Sequence, residues 1–227
     1  MNLCSNLEKV KERIHKACEK AGRKIEEVKL LGASKTVPAE KIKVFYECGL
    51  RLFGENRVQE FLKKYDVLKN LSIEWHFIGQ LQSNKVKYII DKVALIHSLD
   101  RESLLEEIEK RAGNYGKVQE VLIEVNVGKE PSKGGVFPEG LKSLVENTLL
   151  KKHIKLKGLM TIPPYEEDPE RSRKYFVMLR ELKEEVEKEF GIKLDELSMG
   201  MSSDFEIAIE EGATIVRIGT LLFGGRN

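Results

Sequence analysis

The stretch Leu30-Leu31-Gly32-Ala33-Ser34-Lys35-Thr36 joins a run of apolar residues to a lysine. The mostly apolar run begins at Val28, and Pro38 opens a helical pattern just after the lysine. A short apolar run that is followed by turn residues and then a helix is typical of a strand buried in a parallel sheet. The stretch therefore predicts a buried strand that ends in a βα loop, with Lys35 in that loop.

A lysine in this position has two interpretations. Its charge resists burial, so the side chain either extends to the surface or pairs with a carboxylate at the end of the strand. Alternatively, a desolvated lysine amine is a nucleophile that forms a Schiff base with a carbonyl compound. The segment alone does not distinguish a structural role for Lys35 from a chemical one.

The composition is that of one globular domain with a full apolar core. The 227 residues are 41% hydrophobic and 33% charged. Because 39 basic and 37 acidic residues leave a formal net charge of +2, no global electrostatic field favours nucleic acid or an anionic membrane. No apolar run approaches the ~20 residues that a membrane-spanning helix needs. We expect neither nucleic acid nor a membrane as a partner.

The three cysteines, Cys4, Cys18 and Cys48, form no CxxC pair. An odd count without such a pair favours a reducing compartment, where structural disulfides do not form. The amino terminus leads into a charged helical pattern and lacks the apolar core of a secretory signal. These features predict a cytoplasmic protein without disulfides, and no spacing of His, Cys and carboxylate residues predicts a metal site.

Helical and strand patterns alternate along the whole chain after a first amphipathic helix over residues 3–21. Strands are predicted over residues 28–33, 50–53, 73–78, 93–97, 118–127, 154–160, 194–197 and 214–218. Strict alternation indicates parallel strands that are joined by crossover helices. The glycines expected to end helices are Gly22, Gly49, Gly113, Gly191 and Gly212.

Eight strand–helix units favour a closed barrel over an open doubly wound sheet. The length is somewhat below the roughly 250 residues typical of a (β/α)8 barrel but within its range. No GxGxxG sequence follows a strand, and no linker rich in Pro, Gly or Ser divides the chain. We therefore predict one α/β domain over residues 1–227, a (β/α)8 TIM barrel preceded by an N-terminal helix.

Polar residues follow most of the predicted strands. The carboxyl ends of the strands of such a barrel share one mouth, where functional residues collect. The candidates at this mouth are Lys35, Asn56, Gly79, Gln82, Asn84, Lys85, Asn126, Thr161, the run Ser198–Ser202 and the run Arg217–Thr220. Because polar groups at one end of apolar strands are hard to explain as core, we expect a binding site there.

The loops after strands 7 and 8 are the usual phosphate-binding loops of this fold. Gly219 and Thr220 offer backbone amides and a hydroxyl to an anion. Ser202 precedes Ser203, which forms a capping-box pair with Glu206 and so predicts the start of a helix that favours an anion. The alternative is that Ser202 only helps to cap this helix.

Arg217 lies within the apolar strand 214–218. It could form an internal ion pair with a barrel carboxylate such as Glu124, or it could face a ring nitrogen at the barrel mouth, as in pyridoxal-phosphate sites. A lysine amine, a phosphate loop and an arginine together match what pyridoxal 5′-phosphate (PLP) requires. Because arginine stays protonated, it would keep the pyridine nitrogen unprotonated and make the ring a weaker electron sink.

Several motifs resemble those of the pyridoxal phosphate homeostasis protein family, and the match spans nearly the whole chain. They are Ser34-Lys35, Phe53–Glu60 (FGENRVQE), Trp75–Lys85 (WHFIGQLQSNK), Leu197–Ser202 (LSMGMS), and Val216–Thr220 (VRIGT) with Phe223-Gly224. The resemblance implies a barrel like the N-terminal domain of alanine racemase, without the second, β domain of the racemase.

The same resemblance implies roles for seven residues. Lys35 would carry PLP as a Schiff base, and Arg217 would meet the pyridine nitrogen. The residues that would bind the phosphate are Ser202, Gly219 and Thr220, and those that would line the pocket are Asn56 and Met199. The resemblance also implies a monomeric, non-catalytic protein that buffers PLP or delivers it to PLP-dependent apo-enzymes.

Two enzymatic functions remain as alternatives. A PLP-dependent amino-acid racemase or lyase would use the same Schiff base, but racemisation needs proton-transfer groups on both faces of the substrate. The chain ends at Asn227, soon after the barrel closes, so we expect no second domain to supply the opposing group. A class I aldolase would use Lys35 against a sugar carbonyl, but such lysines more usually lie on a late strand. We favour the binding protein, then the racemase, then the aldolase.

Four further features have both a structural and a functional interpretation. His76 is expected to be a hydrogen-bonded histidine of the barrel, and His97, at the end of strand 4, could touch the site. Lys85 is either a surface residue or a second lysine for phosphate or cofactor transfer. The loop 129–135 could be a lid, and its Ser/Lys pair lacks the spacing of a nucleotide-binding loop.

Overall fold

Eight parallel strands close into a barrel in the computed structural model, which describes residues 3–225. The strands are β1 (Lys29–Ala33), β2 (Leu52–Glu55), β3 (Glu74–Phe77), β4 (Leu95–Leu99), β5 (Gln119–Glu124), β6 (Ile154–Met160), β7 (Glu196–Ser198) and β8 (Ile215–Ile218). Each strand pairs with its neighbours in the sequence, and β8 pairs with β1. The (β/α)8 prediction is confirmed. The single domain over 1–227 stays a prediction, and residues 1, 2, 226 and 227 lie outside the described part.

A helix precedes the barrel, as predicted, and others follow the strands. The helices are α1 (Leu3–Lys20), α2 (Ala39–Glu47), α3 (Val58–Leu68), α4 (Val86–Ile89), α5 (Glu102–Asn114), α6 (Leu141–Leu149), α7 (Arg173–Phe190), α8 (Phe205–Glu210) and α9 (Thr220–Phe223). The apolar face of α1 is buried against α8, α9 and α2. Within residues 3–225, no helix is both long and apolar enough to cross a membrane.

Apolar side chains form two separate layers. The larger layer lies between the strands and the surrounding helices. The smaller one lies inside the barrel and consists of Leu31, Leu52, Leu95, Leu122, Met160 and Ile215. Buried polar side chains, among them those of His76, His97, Ser198 and Arg217, accompany this inner cluster. The barrel interior is therefore partly polar, which requires that these groups hydrogen-bond to one another.

Most of the predicted helix-ending glycines are confirmed. Gly22, Gly49, Gly191 and Gly212 follow helices and have positive φ angles. Gly113 is the exception, because it lies inside α5, which continues to Asn114. A Cβ on Gly113 would meet the ring of His153 at 3.2 Å, so this glycine allows close packing rather than a turn.

The predicted capping box at α8 is wrong. Ser203 lies in a turn, α8 begins at Phe205, and Asp204 is the residue that precedes the helix. The Asp204 carboxylate accepts a hydrogen bond from the Met201 N–H at 2.8 Å. The side chain of Asp204 therefore closes the turn before the helix, which the spacing of Ser203 and Glu206 could not indicate.

The prediction of a chain without disulfides is also wrong. Cys4 at the start of α1 and Cys48 at the end of α2 form a disulfide, with 5.4 Å between their Cα atoms. Cys18 is a free, buried thiol. The docking of α1 against α2 brings the two cysteines together across 44 residues of sequence, so cysteine spacing gave no sign of the pair.

Removal of this disulfide is expected to lower the free energy of unfolding by about 2–4 kcal/mol, because the cross-link restricts the unfolded chain. The measurement is chemical denaturation of Cys4→Ser and of the wild type without reductant. The same comparison in the presence of reductant is the control, and there the two proteins should unfold at nearly the same midpoint. A wild-type midpoint that does not respond to reductant would contradict the prediction.

Candidate functional site

A cavity of about 910 Å³ lies at the carboxyl ends of the strands. Six of the seven residues predicted for the site line it, namely Lys35, Asn56, Ser202, Arg217, Gly219 and Thr220. They come from the loops after β1, β2 and β7, from β8 itself, and from Gly219 and the first residue of α9 after it. Closure of the barrel therefore brings residues from both ends of the chain to one cavity.

Met199, the seventh residue, lies elsewhere. Its side chain is fully buried in the larger apolar layer, and its backbone N–H donates to the Ile215 carbonyl at 3.1 Å. Met201 lines the cavity instead. Gly200, with φ of 97°, interrupts the extended backbone between them, so the two methionines do not share one face as residues two apart in a strand would.

The backbone on both sides of Lys35 is fixed by hydrogen bonds. Lys35 itself is half-buried, in a turn just beyond β1. The hydroxyl of the fully buried Ser34 donates to the Glu55 carboxylate at 2.9 Å. Thr36 has φ of 64°, a conformation uncommon for a β-branched residue, and its N–H donates to Glu60 Oε1 at 2.5 Å. These contacts hold the turn so that Lys35 lines the cavity.

Lys64 of α3, which no sequence pattern singled out, lies beneath this turn. Only 8% of its side chain is exposed. The ammonium donates to the Ser34 carbonyl at 2.7 Å, to Glu55 at 2.6 Å and to Glu60 at 2.7 Å. Three acceptors match the three N–H groups of an ammonium, so the buried charge is satisfied. The only sequence signal was the i,i+4 spacing of Glu60 and Lys64, which is usual for exposed pairs on a helix.

The two carboxylates around Lys64 respond differently to their surroundings. Burial raises the pKa of Glu55 above its ordinary value, although the charge of Lys64 and hydrogen bonds from Lys64 and Ser34 oppose the shift. Burial acts in the same direction on Glu60, but hydrogen bonds from Lys64 and the Thr36 N–H outweigh it, so the pKa of Glu60 is lowered. Glu60 therefore contributes stability at neutral pH that is lost as the pH falls through its lowered pKa.

Asn56 lines the cavity and has a buried acceptor atom without a partner among the described residues. Its Oδ1 atom has no hydrogen-bond partner within residues 3–225, and such an atom costs free energy until a donor reaches it. Gly79, after β3, packs directly against this residue, since a Cβ on Gly79 would lie 2.3 Å from the Asn56 carbonyl oxygen. Only glycine permits this approach. A ligand that donates a hydrogen bond would satisfy Asn56.

Arg217 is a buried cation at the cavity wall. Its Nη1 donates to Ser198 Oγ at 2.6 Å and its Nη2 to the Thr161 carbonyl at 3.0 Å. Burial lowers the pKa of Arg217 to about 10, although the negative charges of Glu124 and Asp204 oppose the shift. The guanidinium therefore remains charged at neutral pH, and it has five N–H donors for partners on the protein and in the cavity.

Glu124 lies on the cavity wall. The alternative interpretation of Arg217 was an internal ion pair with this carboxylate, but within the described residues the Arg217 guanidinium hydrogen-bonds to Ser198 and Thr161 and makes no direct ion pair with Glu124. Burial and the charge of Asp100 raise the pKa of Glu124 to about 7, and the charge of Arg217 opposes them. The net charge of the cavity therefore changes near neutral pH.

The two barrel histidines are buried and joined by a hydrogen bond. His76 Nδ1 lies 2.9 Å from His97 Nε2, and His76 Nε2 lies 3.0 Å from Glu74 Oε1. His97 Nδ1 lies 2.9 Å from Ser198 Oγ. His76 is thus the hydrogen-bonded histidine that we expected. His97 does not line the cavity, and it reaches the site through Ser198.

The loop 129–135 borders the cavity through Ser132, Lys133 and Gly134, as a lid would require. Lys133 Nζ donates to the Pro163 carbonyl at 3.2 Å, which joins this loop to the segment after β6. Lys85 is not among the cavity residues. It ends a short 3₁₀ turn, and its ammonium lies 5.8 Å from the centre of the Tyr88 ring.

The fold and the cavity define a class, the barrel proteins of the alanine racemase N-terminal type. The family model described as alanine racemase, N-terminal domain, matches residues 5–227. A more particular assignment comes from the relatives of the chain. It is 65% identical over 226 residues to the pyridoxal phosphate homeostasis protein of Aquifex aeolicus, covering 100% of this chain and 99% of that one. The chain belongs to the pyridoxal phosphate homeostasis protein family.

Two further comparisons agree with this assignment. The pyridoxal phosphate homeostasis protein of Pseudomonas aeruginosa is 42% identical over 227 residues, which cover 99% of this chain and 96% of that protein. The structure of PipY from Synechococcus elongatus with PLP bound superimposes with a TM-score of 0.83 at 34% identity. That match covers 93% of this chain and 100% of PipY.

Proposed function

We propose that this protein binds PLP in the cavity, holds it as a Schiff base on Lys35, and buffers it or delivers it to PLP-dependent apo-enzymes without turnover. The observation that carries the proposal is that Lys35, Arg217 and the turns at Ser202 and Gly219-Thr220 line one cavity. We also propose that the protein is located in the cytoplasm and is a monomer. The names of the relatives and the PLP bound to PipY support the binding of PLP.

Each group in the cavity fits one part of PLP. The cofactor supplies an aldehyde, with which the Lys35 amine condenses with loss of water. The cationic Arg217 donates toward the pyridine nitrogen and keeps it unprotonated. Ser202 and Thr220 supply hydroxyls, and the turn at Gly219 supplies backbone amides, to the phosphate. The buried Oδ1 of Asn56 accepts a hydrogen bond from the ligand, and Met199 acts only by packing behind the wall.

A PLP-dependent racemase or lyase is the second candidate, and Glu124 is the observation that favours it. A carboxyl group with a pKa of about 7 on the cavity wall has the acidity of a general acid or base. Chiral analysis of L-alanine and related amino acids after incubation with the PLP-loaded protein tests this function. We expect no racemisation above that of free PLP, and turnover that Glu124→Gln abolishes would establish the enzyme instead.

The binding proposal is tested by incubating the purified protein with PLP and reducing it with borohydride. We expect a visible absorption band before reduction and, after it, a pyridoxyl adduct that peptide mass spectrometry assigns to Lys35. Delivery is then tested by adding an apo-form of a PLP enzyme to the loaded protein and following its reactivation. A protein without the band or the adduct after incubation would overturn the proposed function.

The affinity for PLP is expected to fall by about tenfold as the pH rises through 7, because ionised Glu124 places a negative charge beside an anionic ligand. An interaction of roughly 1–2 kcal/mol is reasonable for charges in a partly buried site and corresponds to this factor. Titrations of Glu124→Gln between pH 6 and 8 should show a flatter profile. The control is Glu167→Gln, which changes an exposed carboxylate, and an unchanged slope in Glu124→Gln would contradict the prediction.

A further inference from the structure

A continuous line of hydrogen bonds crosses the barrel interior from its amino-terminal end to the cavity. It begins at Glu74, whose side chain is 55% exposed at the start of β3. It continues over 3.0 Å to His76, over 2.9 Å to His97 of β4, and over 2.9 Å to Ser198 of β7. The last step is the bond of 2.6 Å between Ser198 and Arg217 of β8. Four strands therefore contribute to one chain of polar contacts.

The chemistry of Arg217 fixes the direction of this line. A guanidinium only donates, so Ser198 Oγ must accept from Arg217. The single hydroxyl proton of Ser198 then has His97 Nδ1 as its acceptor, because that nitrogen is the other group in contact with the oxygen. Ser198 is fully buried, so an unused hydroxyl proton would cost free energy.

The two histidine tautomers follow from that direction. If His97 Nδ1 accepts from Ser198, then a neutral His97 carries its proton on Nε2 and donates it to His76 Nδ1. A neutral His76 in turn donates from Nε2 to the Glu74 carboxylate. Every donor on the line then has an acceptor. In the reverse arrangement, both rings would carry their proton on Nδ1. The Ser198 hydroxyl would then have no acceptor, and the unprotonated His76 Nε2 would lie against a carboxylate oxygen.

The charges around the line are consistent with this assignment. Complete burial, together with the nearby charge of Arg217, lowers the pKa of His97 well below its ordinary value, so the ring is neutral. The hydrogen bond from His76 lowers the pKa of Glu74, against the effect of burial and with a smaller contribution from Lys29. Glu74 is therefore an ionised acceptor at one end, and Arg217 is a cation at the other.

We propose that Glu74, His76, His97 and Ser198 are positioning residues that hold the Arg217 guanidinium against the cavity and couple the bound cofactor to solvent at the opposite end of the barrel. The inference rests on the proposed function, because it concerns the arginine that would meet the PLP ring. Glu74 lies outside the cavity, yet its loss removes the acceptor of the proton on His76 Nε2, which is one of the two contacts, with that of Arg217, that fix the tautomers. His97 is then free to donate to Ser198, whose oxygen would accept from His97 and Arg217 together and so bind Arg217 more weakly.

The first test uses the protein without PLP. Long-range ¹H–¹⁵N correlation spectra of the histidine rings report which nitrogen is protonated, and His76→Gln and His97→Gln assign the signals. We expect the Nε2–H tautomer for both rings in the wild type. Glu74→Ala should shift both toward a mixture of tautomers, whereas Glu74→Gln, whose amide oxygen still accepts, should keep the wild-type pattern. The Nδ1–H tautomer of His97 in the wild type would overturn the inference.

The second test uses the PLP-loaded protein. Glu74→Ala is expected to move the visible absorption maximum and to weaken PLP binding several-fold, with recovery in Glu74→Gln. Asp195→Ala, which removes an exposed carboxylate just before β7, is the matched control and should leave both unchanged. A wild type that does not bind PLP would overturn the proposed function. Normal PLP binding with the same spectrum in Glu74→Ala would overturn the positioning role alone.

Discussion

Replacement of Lys35 with alanine is expected to abolish the covalent attachment of PLP completely. Apart from Lys133, the other groups of the cavity can hold the phosphate and the ring only by non-covalent contacts, since they have no amine that condenses with an aldehyde. Absorption spectra of the protein after incubation with PLP and removal of free cofactor measure the effect. The visible band should be absent, and borohydride reduction should leave no adduct at this position.

Lys133→Ala is the matched control for this experiment. Lys133 is a second lysine on the cavity wall, so its removal tests whether any amine in the cavity suffices. We expect the visible band and the adduct on Lys35 to persist in Lys133→Ala. A Lys35→Ala protein that retains the full band, with the adduct transferred to another lysine, would show that the fixed turn after β1 is not what selects the reacting amine.

Replacement of Lys64 with alanine is expected to lower the free energy of unfolding by about 3–5 kcal/mol, the range for removing one partner of a buried ion pair. The Ser34 carbonyl and the Glu55 and Glu60 carboxylates would lose the cation that satisfies them. Chemical denaturation at pH 7 measures this loss. Because a raised pKa makes Glu55 easy to protonate, the loss should be smaller at lower pH.

Lys63→Ala is the control for the effect of Lys64. Lys63 is adjacent in α3 but exposed, so its removal should change the free energy of unfolding by no more than about 0.5 kcal/mol. Lys64→Ala should also slow the reaction of Lys35 with PLP, because the Ser34 and Thr36 contacts that fix the turn depend on Glu55 and Glu60. If Lys64→Ala lowers the free energy of unfolding by less than about 1 kcal/mol, the conclusion that Lys64 is a buried cation with three hydrogen-bonded acceptors is contradicted.

Most of the fold could be predicted because its signals are local. Strand β6 occupies residues 154–160, as predicted, and α7 ends before Gly191, whose φ is 63°. The fifth strand was predicted too long. Val125 and Val127 are apolar and buried but lie beyond β5, and Val125 instead forms an isolated bridge with Val136 of the following loop. Apolar content alone does not distinguish a paired strand from a buried loop.

The residues that line the cavity could be predicted for a different reason. Closure of eight parallel strands places all their carboxyl ends at one mouth, so a polar residue after each strand is a candidate without any knowledge of distances. This rule located Lys35, Asn56, Arg217, Ser202, Gly219 and Thr220 at the cavity. Met199, which the family resemblance and not this rule assigned to the pocket, lies outside it, because the positive φ of Gly200 changes which side of the segment faces the cavity.

The sequence by itself determined the alternation of strands and helices, the family motifs and the set of residues at the barrel mouth. Only the tertiary structure decided that Lys64 is buried, that Cys4 pairs with Cys48, and that His97 connects to Arg217. The physical reason is the same in each case. An i,i+4 pair, a cysteine or a histidine has the same local pattern whether it is exposed or buried, and its environment is set by elements distant in the chain that pack against it.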